Sequence, residues 1–312
     1  MLISKCNAAA IKPPQPLSST AISDTSVSST IPAAVVVPTS NAVTTERLPE
    51  GNNVLVASPA EDASFALFAA YAGAAYTVTN RWDCPYACQY PGTQDTVIEY
   101  NWEVGFPTSA GYIARNPQQR ILVVAFQGTN DVSQWVENFD IAQEQWPESI
   151  SGSRVHRGFL RGYESVRDQV LDNINRLAAE YPEYTIALVG HSLGGARAAL
   201  CLLDLSIQYP ELLPRLGLYT QGQPRTGNKA FANAIDSLKV PKYREVYEYD
   251  IAPHVPLVAM GYFHHMSEVW IHNNQTIICT SPTRADGCAS DGDSAHTLNV
   301  DDHFGYPGLR YK

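Results

Sequence analysis

The chain has 312 residues, 45% of them hydrophobic and 17% charged, with a formal net charge of −10. That acidic balance excludes a nucleic-acid partner, which needs a basic face against phosphates. No apolar run reaches the roughly 20 residues of a membrane helix, the best candidate, Ile31 to Val37, being interrupted by Pro32. A chain of this length can bury one large core, as single-domain α/β proteins do.

From the N-terminus, residues 1–57 are rich in Ser, Thr, Ala and Pro and contain no aromatic side chain. Such a segment cannot bury enough apolar area to offset its ordering entropy, and it reads as a disordered leader or pro-segment. It makes a poor secretory signal, because the run between Lys5 and Lys12 is too short and too weakly apolar. The folded domain is expected over 58–312. It opens on Ser58-Pro59-Ala60-Glu61, an N-cap, a proline at the first helical position and a capping-box glutamate. Phe65, Phe68, Ala72 and Ala75 then recur at helical spacing and predict one apolar stripe.

Cys84 and Cys88 bracket Pro85-Tyr86-Ala87 in a turn-rich stretch suited to a disulfide loop, and Cys279 and Cys288 bracket another. Zinc is the rival reading, disfavoured by the lack of C-x2-C spacing, and no metal is expected. Cys201 reads as a buried free thiol, and Cys6 falls in the leader. With Asn274-Gln275-Thr276 as a glycosylation acceptor sequence, this cysteine usage favours an extracellular protein.

Ile121-Leu-Val-Val-Ala-Phe126 is a near-continuous apolar run of the kind a buried strand needs, and Gln127-Gly128-Thr129 is the turn after it. Val132, Trp135, Val136 and Phe139 share one face at helical spacing, which predicts a short amphipathic helix. A second buried-type strand, Thr185 to Val189, runs into Gly190-His191-Ser192-Leu193-Gly194 and on into a helix without Gly or Pro up to Ile207. G-x-S-x-G alone is a weak signal, but strand before and helix after make it the sequence form of a nucleophile elbow. Gly195 and Ala196 keep the helix start small, as if to leave room for a substrate carbonyl.

A serine hydroxyl is a weak nucleophile unless a histidine takes its proton and an acid orients that histidine, in the chain order Ser, Asp or Glu, His. Tyr243 to Asp250 alternates like a strand and places Asp250 where it ends, the position at which functional groups collect in open α/β sheets. The alternative for Asp250 is a turn-initiating residue before proline. His296 and His303 lie far enough downstream to be the base, and the residue pattern leaves both open. His254, His264, His265 and His272 are too near Asp250 for that order and read as rim, packing or surface residues. An oxyanion also needs two donors: the backbone N–H of Leu193, and Thr129 with its N–H and hydroxyl.

These segments, from about Ala63 to Gly308, resemble the fungal and yeast class 3 lipases and their feruloyl esterase relatives. Phe126-Gln-Gly-Thr129 is similar to the family's F-R-G-[ST] oxyanion loop, with Gln127 in place of Arg, and Val155-His-Arg-Gly-Phe159 to its V-H-x-G-F. Gly190 to Gly195 is similar to its elbow, Gly222-Gln-Pro-Arg-Thr-Gly-Asn228 to its G-x-P-R-x-G-N, and Tyr243 to Pro253 to its acid segment. The family's base lies in H-x-x-Y-x-G, which His303-Phe-Gly-Tyr-Pro-Gly308 fits and His296-Thr-Leu-Asn299 does not. The resemblance implies an α/β-hydrolase fold, with a mostly parallel central sheet and helices on both faces, and a Ser192, Asp250, His303 triad that needs no cofactor. It also implies a lid carrying Val132, Trp135 and Val136. Many members pair a cysteine directly after A-A-Y with one at the C-terminus. Here Thr77 follows Ala74-Ala-Tyr76 and no cysteine follows Cys288, so weaker anchoring of the segment carrying His303 is expected.

The activity so implied is carboxylic ester hydrolysis, foremost of triacylglycerols, by a monomer acting transiently at a lipid–water interface. A tryptophan-bearing amphipathic lid favours a lipase. A feruloyl or general carboxylesterase is the alternative, and a catalytically silent hydrolase fold that binds lipid or a partner is a reading of another class. Val255 and Leu257, in the apolar run to Met260, are expected along one wall of an acyl cleft. Secretion is expected, although the sequence offers no convincing signal peptide.

Overall fold

The computed structural model describes residues 54–105, 108–131, 141–279, 288–289 and 299–310. The leader to residue 53, the segment with Val132, Trp135 and Val136, and His296 lie outside the described residues. In chain order the elements begin with β1 (Val54–Val56), α1 (Pro59–Ala74), β2 (Val97–Gly105), β3 (Thr108–Asn116), β4 (Ile121–Phe126), β5 (Gln143–Gln145) and β6 (Arg154–His156). They continue with α2 (Arg157–Glu164), α3 (Arg167–Glu180), β7 (Thr185–His191), α4 (Leu193–Gln208), β8 (Leu216–Gln221), α5 (Lys229–Ser237), β9 (Lys242–Tyr247), β10 (Glu268–His272) and β11 (Gln275–Cys279). Among the described residues no helix is long and apolar enough to cross a membrane.

Nine of these strands form one sheet in the order β1-β11-β10-β9-β8-β7-β4-β3-β2, and β5 pairs with β6 separately. The centre, β4-β7-β8-β9-β10, is parallel. The flanking strands pair antiparallel. The α/β architecture is therefore parallel where the elbow sits and mixed at its edges. Burial on both faces explains the continuous apolar runs. Leu122, Val124 and Phe126 of β4 pack with Ile186 and Leu188 of β7 and with residues of α2 to α5. Val123, Ala125, Ala187 and Val189 pack on the other side, against Leu67, Phe68 and Tyr71 of α1.

The start of α1 follows its sequence signals. Ser58 Oγ accepts from Glu61 N at 3.3 Å, and Glu61 Oε2 accepts from Ser58 N at 2.7 Å. The expected single apolar stripe is too narrow, since every residue from Ser64 to Ala74 is buried. The cause is a second cover: α1 also packs against the Cys84–Cys88 loop and against Tyr306 and Leu309. The domain boundary also moves, because Val54–Val56, read as leader, pairs antiparallel with β11 as an edge strand. A short β-branched run suits such an edge even inside a polar stretch.

Both expected disulfides are present, Cys84–Cys88 and Cys279–Cys288. Cys201 is free and buried in α4, and burial pushes its thiol up, away from thiolate chemistry. The segment 299–310 is anchored without a disulfide of its own. Ile251 N and Asn299 O bond at 3.1 Å, Tyr249 N donates to Asp302 Oδ2 at 3.0 Å, and Leu309 is 4% exposed. Leu309→Ala is expected to cost about 3 kcal/mol. Urea titration followed both by ester hydrolysis and by circular dichroism should show activity lost first.

Candidate active site

Strand β7 delivers Ser192 and α4 begins at the next residue. Ser192 adopts φ 60° and ψ −132°, which side-chain-bearing residues avoid unless the surroundings enforce it. Those surroundings are tight: Ser192 N donates to Gln221 O at 2.8 Å, and a Cβ on Gly194 would lie 2.0 Å from Phe126 O. Gly195 and Ala196 serve packing rather than a substrate carbonyl. A Cβ on Gly195 would press on Gln223 and on Gly190 O at 3.0 Å each, and Ala196 is wholly buried in the core.

Asp250 follows the end of β9, and a parallel bridge to Asn299 draws in the segment bearing His303. Asp250 and His303 are both 0% exposed, and His303 Nδ1 lies 2.9 and 2.8 Å from the two Asp250 oxygens. Tyr306 Oη donates to Asp250 Oδ2 at 2.6 Å, and Ala252 N donates to Oδ1 at 2.8 Å. A carboxylate ringed by donors acts as an acceptor only, so the His303 proton sits on Nδ1 and Nε2 keeps its lone pair. Among the described residues, neither the buried His303 Nε2 nor the buried Ser192 Oγ has a hydrogen-bond partner. Both belong to a larger set of buried atoms without a partner among the described residues, and they are the two that a proton transfer would join.

Gly222 makes this pairing fit. Its φ is +59°, and a Cβ there would lie 2.7 Å from His303 Cε1 and 2.8 Å from Asp250 Oδ2.

A second buried chain holds His303 by its backbone. His191 Nε2 lies 2.8 Å from His303 O and its Nδ1 lies 2.8 Å from Tyr76 Oη. A carbonyl only accepts, so His191 donates from Nε2 and receives the Tyr76 hydroxyl at Nδ1. Burial, then the neighbouring His303, hold His191 well below its ordinary pKa, so it stays neutral in that tautomer. Tyr76→Phe is expected to remove about 1 kcal/mol of positioning. Steady-state kinetics should show this as a roughly fivefold fall in kcat with KM little changed.

The turn after β4 abuts the elbow, since a Cβ on Gly128 would lie 3.0 Å from Ser192 Cβ. Thr129 Oγ1 accepts from Asp131 N at 3.2 Å, which leaves its hydroxyl proton to donate elsewhere. Leu193 opens the 16-residue helix α4, where the first N–H groups point outward from the helix end. Val255 is half-buried and Leu257 is 49% exposed, near exposed Val258 and Met260. Tyr262 Oη donates to Ile141 O at 3.0 Å, bringing exposed Ile141 to the same region. Among the described residues, four further histidines have structural partners. His156 Nδ1 caps α2, His264 meets Pro253 O, burial lowers His265 to about 3, and His272 Nδ1 pairs with Glu248 at 2.6 Å.

The sequence reading missed Tyr76, His191, Gly222 and Tyr306 as positioning groups. All four stand inside quoted motifs, but the contact of Tyr76 with His191 is made only through space.

A family model described as Lipase (class 3) matches residues 123–260. A lipase from Rhizomucor miehei is 35% identical over 232 residues, covering 73% of this chain and 62% of that protein. The chain thus spans less than two thirds of that relative's length. A secreted mono- and diacylglycerol lipase A from Penicillium cyclopium is 32% identical over 220 residues, 65% of this chain and 70% of that one. The solved structure of Rhizomucor miehei triacylglyceride lipase superposes with a TM-score of 0.76 at 31% identity, covering 82% of this chain and 97% of that one. Elbow, sheet order and sequence agree in one assignment, and the chain belongs to the class 3 lipase family.

Proposed function

We propose that this protein hydrolyses carboxylic esters, with triacylglycerols as the principal substrate, by acyl transfer to Ser192. The observation that carries the reading is the buried Asp250–His303 pair, whose Nε2 is left without a partner, together with the Ser192 elbow at φ 60°. Ser192 Oγ attacks the ester carbonyl while His303 Nε2 takes its proton, and Asp250 keeps the imidazole in register. The N–H groups of Leu193 and Thr129, with the Thr129 hydroxyl, receive the negative oxygen. His303 returns the proton to the departing alcohol, and water repeats the sequence to free the acid. This chemistry requires no metal or organic cofactor.

Support for a lipid substrate comes from the exposed apolar side chains of Ile141, Leu257, Val258 and Met260 and from the names of the relatives. Ser192 is 0% exposed, which fits a cover that must move, and the amphipathic segment with Val132, Trp135 and Val136 is the natural lid. Val255 and Leu257 would then line the acyl side of the opened cleft. Secretion is supported by two disulfides and by the secreted Penicillium relative. Residues 1–53 would serve as a leader or pro-segment of a monomer.

The test is a panel of tributyrin, a long-chain triacylglycerol and methyl ferulate on the purified protein. The expected result is a rise in tributyrin rate once the ester exceeds its solubility. Faster turnover of methyl ferulate would assign a feruloyl esterase, and failure of an organophosphonate to label Ser192 would assign a silent binding fold.

A further inference from the structure

Strand β8 ends on Gln221, and the backbone there joins both halves of the site. Gln221 O receives Ser192 N at 2.8 Å, and the next residue is Gly222, packed against His303 and Asp250. The side chain of Gln221 is tied to the neighbouring strand. In the parallel register Gln221 stands opposite Glu245 of β9, and both are buried. Gln221 Nε2 donates to Glu245 Oε1 at 2.6 Å, and Gly222 N donates to Glu245 O at 3.0 Å.

This pair leaves two atoms over. Among the described residues, Gln221 Oε1 and Glu245 Oε2 are buried without a hydrogen-bond partner. Both are acceptors while the acid is ionised, so neither can satisfy the other. A proton on Oε2 gives the acid a donor, and the amide bonded to it carries the acceptor that lacks one. A neutral acid and a primary amide can thus exchange two hydrogen bonds, whereas the ionised pair makes one and leaves a buried charge. Burial, opposed by the Gln221 hydrogen bond and reinforced by Asp62, raises Glu245 to about 8, which keeps the proton in place at neutral pH.

We propose that Glu245 is a positioning residue that acts in its neutral form, locking the Gln221 side chain in a reciprocal acid–amide pair and so holding the backbone that spaces Ser192 from the Asp250–His303 pair. The inference rests on the Ser192 chemistry proposed above. Glu245 touches no substrate and works through Gln221 O and Gly222. Loss of its proton turns Oε2 from a donor into a second acceptor facing a pair that has no donor left for it. The titratable groups around Glu245 are Asp62 of α1 with Glu61 behind it, Tyr219 of β8, and Tyr243 and Tyr247 of β9. Glu248, just beyond β9, is paired with His272 of β10, and segment 299–310 brings Tyr306 and the His303 bonded to Asp250.

Titrimetric rates on tributyrin across the alkaline range test this. The wild-type kcat should fall about tenfold between about pH 7 and about pH 9, as Glu245 passes from about nine-tenths to about one-tenth protonated. Glu245→Ala should lower kcat about tenfold at neutral pH with KM little changed. Glu245→Gln supplies a neutral partner that can again exchange two hydrogen bonds, so it should recover most of that loss and abolish the alkaline fall. A merely structural role would lower the rate at every pH alike and leave the shape of the profile unmoved. Infrared difference spectra of the wild-type protein should show a protonated-carboxyl stretch that disappears over the same interval, a measurement that serves if the variants do not fold. The proposal is overturned by a wild-type rate that does not fall, by a fall that persists unchanged in Glu245→Gln, by wild-type kcat in Glu245→Ala, or by absence of the infrared change. A wild-type protein inert to every ester and unlabelled by an organophosphonate removes the esterase reading and this role with it, whereas an active one giving any of those results removes the role alone.

Discussion

Ser192→Ala is expected to lower tributyrin hydrolysis by a factor on the order of 10⁶, because the residual rate then rests on the oxyanion donors and binding alone. The fold should not suffer. The hydroxyl has no partner among the described residues, so its removal breaks no hydrogen bond and relieves a buried unsatisfied oxygen. The backbone at φ 60° is held by Gln221 and the helix start, neither of which involves the side chain. The check is a paired measurement of turnover and of the urea midpoint. A variant that keeps more than a hundredth of the activity would show that another nucleophile does the chemistry, while a lowered midpoint would make the loss structural.

Asp250→Asn is expected to cost about 10⁴-fold in kcat, although it changes a single oxygen into a nitrogen. All three groups around the carboxyl are donors: His303 Nδ1, Tyr306 Oη and Ala252 N. An asparagine can place its carbonyl toward only part of this ring, and its amide then faces a donor. The least costly rearrangement moves the His303 proton to Nε2, so the lone pair that should receive the Ser192 proton is gone. KM should change little, since Asp250 is wholly buried and away from any substrate surface. A loss of less than tenfold, with the fold intact, would remove Asp250 from the orienting role and leave it a structural residue. A matching loss in Tyr306→Phe is not expected, because that change removes one donor and keeps the tautomer.

Much of the site was legible because it is local in sequence. The elbow announces itself through a strand, a tight turn and a helix that are contiguous, and β4 with its turn is likewise one stretch. The acid was legible only in part: the strand read to Asp250 ends at Tyr247, and position left a turn residue as the alternative until the family motif favoured Asp250. The base was not: His296 and His303 are equivalent by order, and only a family motif separates them. What periodicity could not show is contact between distant segments. Tyr76 and His191 are far apart in the chain and meet through one hydrogen bond. The full burial of α1 depends on the segment around Tyr306 and Leu309, which no helical pattern in α1 can reveal. Val54–Val56 was hidden for the opposite reason, since three residues are too few to stand out from a polar leader.

The docking of segment 299–310 divides the protein into parts with unequal thermodynamic roles. Ser192 and Asp250 are fixed by the sheet, whereas His303 is present only while that segment lies against α1. A molecule in which the segment has lifted keeps its core and two of the three proposed site residues, yet under the proposed mechanism it would be inert. Specific activity is therefore a gauge of one local equilibrium, whose opening free energy is smaller than that of global unfolding. Mild heat or denaturant should accordingly silence the protein reversibly, well before the nine-stranded sheet gives way.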